Sequence, residues 1–504
     1  MPGKADDIKT CLLRRGASYS GSGFGMLASL TGPKLSVQER FMWRAALLCS
    51  LILAAGLFVR PIRAQTSDDV AGCYKESNPD LVIDYCTRSI GATQLSASNL
   101  AIIFTNRGSA YNHKGDYDQA IQDFNQAIRL DPNCAYAFNG LGNANNGKGD
   151  YDQAIQDYDR AIRLIPSYGY AFNGRGNAYS SKGEYDRAIQ DYDQAIRLTP
   201  NYANAFNGRG NAYSSKGEYD RAIQDFDQAI RFTPSHAYAF NGRGNAYNHK
   251  SEYDRAIQDF DQAIRLNPNY AYAFNGRGNA YNDRGEYDRA IQDYDQAVRL
   301  NPNYAEAFFN RGNAYNSKGQ YDRAIEDYDQ AVRLNPNFAD AFFNRGFTRF
   351  KEGSIATAVS DFAKSAELVP ADRYNILWLY VATARAGQDA TSGSTQRLDL
   401  VSWPGPVLSL FLKKTNRPAL LEAAKDPDAQ RERDRLCEAH FFLGEYELVG
   451  GGQKAADADF EEAAATCRPT AAEYSAATAE LKRPSRQSPS RLHVTKEGDV
   501  DPAR

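Results

Sequence analysis

The sequence predicts an all-helical protein in which similar helical hairpins stack into a solenoid. Three observations lead to this fold class. A 34-residue unit recurs eight times between Ala101 and Asp372. Within each unit, small, apolar and aromatic residues recur at helical spacing, and glycine and proline recur at fixed positions between these stretches. Because a single hairpin cannot bury its apolar side alone, the units must stack on one another.

Each repeat reads as two amphipathic helices, and we number its positions as places 1 to 34. The third repeat reads GYAFNGRGNAYSSKGEYDRAIQDYDQAIRLTPNY and starts at Gly169. Its first helix carries apolar or small residues at places 4, 8 and 11, and its second helix does so at places 20, 24 and 27. Gly183 at place 15 is expected to end the first helix, and Pro200 at place 32 is expected to end the second.

This pattern strongly resembles the tetratricopeptide repeat (TPR), over eight units of 34 residues, 272 residues in all. The resemblance implies a right-handed superhelical solenoid. It also implies a concave groove lined by first-helix places 2, 5, 6, 9, 12 and 13, in which protein or peptide clients bind.

The region before the repeats is predicted to be an export signal. Residues 45–59 form a 15-residue apolar run that follows Arg40 and Arg44. Secretory signals have apolar stretches of about 7–15 residues, whereas a membrane span needs about 20. Cleavage after Ala64 fits this pattern, and an uncleaved anchor or a buried helix are the alternatives. Because a signal begins near the initiator, we expect Met42 to be the true start of the protein.

The cysteines agree with export to an oxidising compartment. Five remain after the signal, an odd number that predicts two disulfides and one free thiol. A truncated repeat before the array would place Cys73 and Cys86 across an antiparallel hairpin. Cys437 and Cys467 take opposed places in a degenerate repeat near the C-terminus. We therefore predict disulfides within these two pairs and a free Cys134.

Charged residues recur at two places that should face each other. Place 7 carries arginine in seven repeats, Leu141 being the exception, and place 23 carries aspartate in all eight. Places whose numbers sum to roughly 32 are opposed in such a hairpin. An architectural ion-pair ladder and an anion-binding row of arginines are both open, and the matched aspartates favour the ladder.

The predicted concave face is rich in asparagine at places 5 and 9 and in tyrosine at place 2. Stacking turns these places into parallel rows, and an asparagine amide can both donate to and accept from a peptide backbone. Glycine at place 6 is expected to leave room for that backbone. A passive hydrated face copied by duplication is the alternative. The candidate groove residues are Asn139, Asn143, Asn173, Asn177, Asn207, Asn211, Asn241, Asn245, Asn275, Asn279, Asn313, Tyr136, Tyr170, Tyr238 and Tyr272.

Phenylalanine replaces these polar residues near the end of the repeats. Phe343, Phe347 and Phe350 recur at i, i+4 and i+7, and Phe309 precedes them in the seventh repeat. Such a stripe is either core covered by the C-terminal segment or a hydrophobic docking patch.

The C-terminal module resembles the end of an enterobacterial outer-membrane TPR lipoprotein. The similarity lies in WLYVA (378–382), WPGPVLSLFL (403–412), EAHFFLGEYEL (438–448) and EYSAATAEL (473–481), in this order. It implies an envelope scaffold that recruits peptidoglycan hydrolases and a periplasmic protease. The chain departs from that family by lacking a lipidation cysteine and by having a much longer array.

Composition and motifs argue against chemistry in this chain. The net charge of −3 removes the electrostatic argument for a nucleic acid or an anionic membrane partner. The five histidines show no metal-ligand spacing, and the recurrent Gly-Arg-Gly-Asn lies within a helix and not in a phosphate-binding loop. We therefore expect no enzyme, no cofactor, no metal and, after cleavage of the signal, no integral membrane span.

The resulting expectation is a periplasmic or secreted scaffold that holds extended peptides, with a structural solenoid for self-assembly or spacing as the alternative. The predicted boundaries are 1–41 for a non-native upstream extension, 42–64 for the signal peptide, 65–100 for an N-terminal capping half-repeat, 101–372 for the eight repeats, 373–483 for the divergent C-terminal module and 484–504 for a disordered tail.

Overall fold

The computed structural model describes residues 62–91, 95–388 and 399–483, with side chains from Asp68 onward. The part of the chain described here contains 24 α-helices and no strand, as the sequence predicts. The expected upstream extension, the apolar run of the signal peptide and the C-terminal tail lie outside it. Within the same residues, no helix combines the length and apolar character needed to cross a bilayer.

The chain divides into two compact parts, one up to Pro234 and the other from Ser235, and each is described by itself. The helices of the first part are α1 (Ile62–Lys75), α2 (Pro79–Ile90), α3 (Ala97–Lys114), α4 (Tyr117–Leu130), α5 (Ala135–Lys148), α6 (Tyr151–Leu164), α7 (Gly169–Ser181), α8 (Tyr185–Leu198), α9 (Ala203–Ser215) and α10 (Tyr219–Phe232).

The second part continues the same alternation of helices and ends in the divergent module. Its helices are α11 (Ala237–His249), α12 (Tyr253–Leu266), α13 (Ala271–Asp283), α14 (Tyr287–Leu300), α15 (Ala305–Ser317), α16 (Tyr321–Leu334), α17 (Ala339–Glu352), α18 (Ile355–Leu368), α19 (Arg373–Arg385), α20 (Gly405–Phe411), α21 (Arg417–Ala423), α22 (Ala429–Val449), α23 (Gln453–Thr466) and α24 (Ala472–Lys482).

Place 15 turns the chain from the first helix of each hairpin into the second. Gly183 has φ 76° there, a left-handed conformation that glycine adopts without steric cost. In the fifth repeat Ser251 takes the same place with φ 60°. The predicted hairpin turn is therefore confirmed, and it forms even at the repeat that lacks the glycine.

The aromatic ring at place 24 packs between two glycine-bearing helices. A Cβ added at Gly176, place 8 of the same hairpin, would lie 2.9 Å from the Tyr192 ring, and one at Gly208, place 6 of the next repeat, would lie 2.5 Å from it. The equivalent glycines Gly140, Gly174 and Gly276 meet the preceding repeat's ring in the same way. The expectation that place-6 glycine leaves room for a ligand backbone is therefore wrong, because a ring fills that space.

The C-terminal helices cover the end of the array. Trp378 of α19 is 2% exposed, and its ring centroid lies 5.0 Å from Phe347 and 5.4 Å from Phe350. Phe350 is fully buried and Phe347 is 7% exposed, so these two residues are core and not a docking patch. Phe343 is partly buried against the same core, and the ring centroid of Phe309 lies 4.8 Å from that of Phe338, the last residue of its own repeat.

A degenerate repeat forms from α22 and α23. Gly444 and Phe460 repeat the packing of glycine against an aromatic ring. Asp459, which corresponds to place 23, accepts two hydrogen bonds from Arg417 at 2.6 and 2.7 Å and lies 3.2 Å from His440 Nδ1. The packing rules of the array therefore persist in this hairpin although its sequence has diverged.

Candidate functional site

The asparagines at place 9 have carboxamides that are oriented by the second helix of the same hairpin. Where place 24 is tyrosine, its hydroxyl donates to the asparagine Oδ1. Among the described residues, the Nδ2 groups of these asparagines donate to no other protein group, so their N–H donors are open to solvent or to a ligand. The pairs are Tyr158–Asn143 at 2.6 Å, Tyr192–Asn177 at 2.8 Å, Tyr294–Asn279 at 2.7 Å and Tyr328–Asn313 at 2.8 Å.

Two place-9 asparagines lack this restraint. Asn211 and Asn245 are exposed, and the opposing residues in their hairpins are Phe226 and Phe260, which have no hydroxyl to donate. The array thus contains two kinds of repeat that share one packing geometry but differ in how firmly the exposed amide is held.

The asparagines at place 5 lie deeper, at the contact between successive repeats. The Oδ1 atoms of Asn139, Asn173, Asn207 and Asn241 are buried and accept no hydrogen bond. Asn275 differs because it accepts from Asn310 Nδ2 at 3.1 Å, and Asn310 replaces the place-6 glycine of the following repeat. Each buried acceptor without a donor costs about 1–3 kcal/mol, so this row lowers the stability of the contacts between repeats.

Tyrosines form a ladder of aromatic contacts along the starts of the first helices. Along the chain, the ladder alternates tyrosines at place 2 of a repeat with tyrosines at place 34 of the same repeat. In the first part the ring centroids of Tyr136, Tyr168, Tyr170 and Tyr202 are separated by 5.1, 6.0 and 4.8 Å in turn. In the second part the rings of Tyr238, Tyr270, Tyr272 and Tyr304 are separated by 5.0, 5.9 and 4.8 Å.

Half of this ladder was missed from the sequence. Place 2 was identified as groove lining, but Tyr168, Tyr202, Tyr270 and Tyr304 at place 34 were not. The available signal was the spacing, because place 34 lies two residues before place 2 of the next repeat. Tyr170, Tyr238 and Tyr272 are 37%, 58% and 52% exposed, so the ladder presents ring surface to solvent.

A cavity of about 270 Å³ opens beside Tyr170 and Tyr202. Thr199 and Thr233 also line it, together with Asn201, Ala203 and Asn204. All of these side chains are uncharged. The concavity is therefore suited to a neutral group and not to an ion.

The arginines at place 7 form the predicted ion-pair ladder. Each guanidinium donates to the place-23 carboxylate of its own hairpin, and in several repeats also to the place-25 aspartate of the preceding repeat, as Arg175 does to Asp159 at 2.5 Å. The hydrogen bond to Asp293 raises the pKa of the Arg277 guanidinium further. Since the aspartates occupy these donors, the anion-binding alternative loses its support. The hairpin pairs are Arg107–Asp123, Arg175–Asp191, Arg209–Asp225, Arg243–Asp259, Arg277–Asp293, Arg311–Asp327 and Arg345–Asp361.

The second repeat is the exception, because Leu141 replaces the arginine. Asp157 is 5% exposed there and accepts from Asn145 Nδ2 at 2.7 Å and Gln153 Nε2 at 3.2 Å. Burial raises the pKa of Asp157 to about 6, since two neutral amides compensate its charge less well than a guanidinium does.

Both predicted disulfides are present. Cys73 and Cys86 join α1 to α2 with 4.9 Å between their Cα atoms, and Cys437 within α22 is joined to Cys467 at the C-terminal end of α23 with 4.8 Å. Cys134 is a free thiol and is buried, also as predicted. Across the described residues, no three potential metal ligands of the His, Cys, Asp or Glu type lie together.

The 34-residue helical hairpin, the small residues at its contacts and the amide-lined face define a helical-repeat protein. Family profiles agree, and the chain contains tetratricopeptide repeats, a fold that generally mediates protein–protein interaction. A profile described as "TPR repeat" matches residues 176–216, 278–317 and 312–353, and two described as "Tetratricopeptide repeat" match 105–169 with 207–271 and 260–292, respectively.

Several solved structures are similar to parts of this chain. The APC/C hetero-tetramer Cut9–Hcn1 shares 15% identity at a TM-score of 0.48, with 65% of this chain and 64% of that chain covered. A TPR protein from Parabacteroides merdae shares 21% at 0.41, with 49% and 98% covered. YrrB, described as a TPR protein with an unusual peptide-binding site, shares 27% at 0.30, with 37% and 96% covered. A search of curated proteins gave no significant match.

Proposed function

We propose that the protein is an exported interaction scaffold that binds extended peptide segments along the asparagine and tyrosine face of its repeats. One observation carries this proposal. At place 9, Tyr158, Tyr192, Tyr294 and Tyr328 orient exposed or half-exposed amides and leave their N–H donors unused. Held amides of this kind need no ordering when a ligand arrives, which reduces the entropic cost of binding.

An extended peptide is the ligand that matches these groups. Its backbone exposes carbonyl and N–H groups at regular intervals, and an asparagine amide complements both without reading a particular side chain. Place 9 supplies N–H donors at the surface, whereas the oxygens of place 5, such as those of Asn173 and Asn207, are buried and accept nothing in the free protein. The place-9 donors therefore match the carbonyls of the peptide backbone.

Export is a further element of the proposal. Two disulfides are typical of secreted and periplasmic proteins, and the apolar run at 45–59 suits a cleaved signal. The resemblance of the C-terminal segments suggests clients among envelope enzymes, namely peptidoglycan hydrolases and a processing protease. N-terminal sequencing of the mature protein should give an end near residue 65, and an end upstream of residue 45 would contradict export by this signal.

The peptide-binding proposal is tested by selecting ligands from a phage-displayed library of random 16-residue peptides and measuring their affinity by calorimetry. The triple variant Asn177→Ala, Asn211→Ala, Asn245→Ala should weaken binding of the selected peptides at least tenfold. A matched control replaces three exposed glutamines on the second helices of the same three repeats, Gln190→Ala, Gln224→Ala, Gln258→Ala, and should leave the affinity unchanged.

A second pair of variants tests the role of the tyrosine hydroxyl. Tyr192→Phe removes the donor that holds Asn177 and should weaken peptide binding, while Phe226→Tyr supplies the missing donor to Asn211 and should strengthen it. Both side chains are buried at place 24 and neither would touch a ligand. If no peptide is selected and the protein instead associates with itself, the structural solenoid replaces the scaffold as the better function.

A further inference from the structure

The tyrosine ladder limits which peptide conformation can follow the groove. Within each compact part, two place-2 tyrosines of successive repeats both contact the place-34 tyrosine ring that lies between them. Tyr238 and Tyr272, for example, lie 5.0 and 5.9 Å from Tyr270, so their separation is at most about 11 Å.

This spacing accommodates a polyproline II ligand. A polyproline II helix has three residues per turn and rises about 3.1 Å per residue, so every third side chain faces the same way at intervals of about 9 Å. In a β-strand the side chains on one face recur at about 7 Å or about 13 Å, because the period is two residues. The repeat of about 9 Å lies within the limit of about 11 Å and places one side chain on each successive tyrosine, whereas a repeat of about 13 Å exceeds that limit.

The charge of the surface points to the same ligand. The segments 165–172 and 199–206 in the first part and 267–274 in the second contain no Asp, Glu, Lys or Arg, and the exceptions along the ladder are Asp131 near Tyr136 and Glu306 near Tyr304. The cavity between Tyr170 and Tyr202 is likewise lined by neutral side chains. An uncharged, ring-bearing side chain complements this surface, and aromatic-lined grooves are the sites that proline-rich segments use.

We infer that the tyrosine ladder selects proline-rich segments in the polyproline II conformation, with one proline seated against each place-2 tyrosine and the cavity at Tyr170 and Tyr202 as one seat. This inference rests on the proposed peptide-binding function and specifies its ligand class. The carbonyls of such a segment make no internal hydrogen bonds, so they are available to the place-9 amide donors.

The test compares three probes by calorimetry with the purified chain: acetyl-(Pro-Pro-Ala)5-amide, acetyl-(Ser-Gly-Ala)5-amide and chitotetraose. The proline-rich peptide should bind at least tenfold more tightly than the flexible peptide. Tyr170→Ala and Tyr238→Ala, both at exposed positions, should each weaken it three- to tenfold, while Tyr170→Phe should retain binding because the ring remains. Tyr74→Ala, an exposed tyrosine outside the ladder, is the control and should have no effect.

The outcomes separate this inference from the proposed function. If both peptides bind equally and the asparagine triple variant weakens both, the scaffold proposal stands and the polyproline inference fails. If chitotetraose binds better than either peptide and depends on Tyr170, the ladder is a sugar-stacking surface, and the inference is overturned. If library selection also yields no peptide, both proposals fail together.

Discussion

Asp157 and Asp191 occupy the same place in adjacent repeats. We predict that replacing each by asparagine changes the stability of its repeat, and that the two changes have opposite signs. Arg175 pairs with Asp191, whereas Asp157 faces Leu141 and only neutral amides. Asp157→Asn should therefore stabilise the second repeat at neutral pH. Burial raises the pKa of Asp191 as well, but Arg175 opposes this shift. Asp191→Asn should destabilise the third repeat, because it leaves a largely buried guanidinium with one carboxylate fewer.

The magnitude for Asp157 follows from its pKa of about 6, compared with 3.8 ordinarily. The folded protein binds this proton more tightly than the unfolded chain does. The contribution to stability is therefore fully present below about pH 4 and is lost as the pH rises through 6. Two pKa units correspond to about 3 kcal/mol at most, and solvent screening reduces this, so Asp157→Asn should gain about 1–2 kcal/mol at pH 7.5.

Hydrogen–deuterium exchange measures this effect locally, which suits a repeat protein whose unfolding is not all-or-none. For amides in α6, the free energy of opening should be higher in Asp157→Asn than in the wild type at pH 7.5 and equal to it at pH 4. Amides in α8 should open more easily in Asp191→Asn, by about 3 kcal/mol. Destabilisation by Asp157→Asn, or an equal gain at both pH values, would refute the reasoning.

Three further results are expected. Gly208→Ala would place a Cβ 2.5 Å from the Tyr192 ring and should cost about 1–3 kcal/mol by thermal denaturation, and an unchanged melting temperature would contradict this packing. Burial raises the pKa of Glu438 to about 7, so fluorescence of Trp403, which donates to it, should report greater stability at pH 5.5 than at pH 8, except in Glu438→Gln. Alkylation of the denatured, unreduced protein lacking residues 1–64 should label Cys134 alone, and labelling of more cysteines would exclude the disulfides.

The fold and several contacts could be predicted because a helical hairpin obeys a simple rule. Places that sum to about 32 face each other, and this rule anticipated both disulfides and the ion pairs such as Arg209–Asp225. The hydrogen bond from Tyr192 to Asn177 obeys the same rule, since places 24 and 9 sum to 33. This part of the candidate site was therefore within reach of the sequence.

Contacts between repeats were beyond that rule, since it concerns one hairpin at a time. The ring of Tyr192 rests on Gly176 of its own hairpin and on Gly208 of the next, so place 6 is core and not open groove. Likewise the burial of Phe347 and Phe350 depends on Trp378, which belongs to a helix that follows the last repeat. Stacking geometry, and not propensity, decides each of these cases.

The residue at place 24 links the stability of the array to its surface. Tyr192 and Phe226 fill the same space between glycines, so exchanging one for the other leaves the hairpin packing intact. Only tyrosine extends far enough to donate to the place-9 asparagine, as it does to Asn177. A change that is nearly silent in the core therefore alters how firmly an exposed amide is held. Repeats with the two residues can thus differ in ligand binding while sharing one fold, which is why Phe226→Tyr is the sharpest test of the groove.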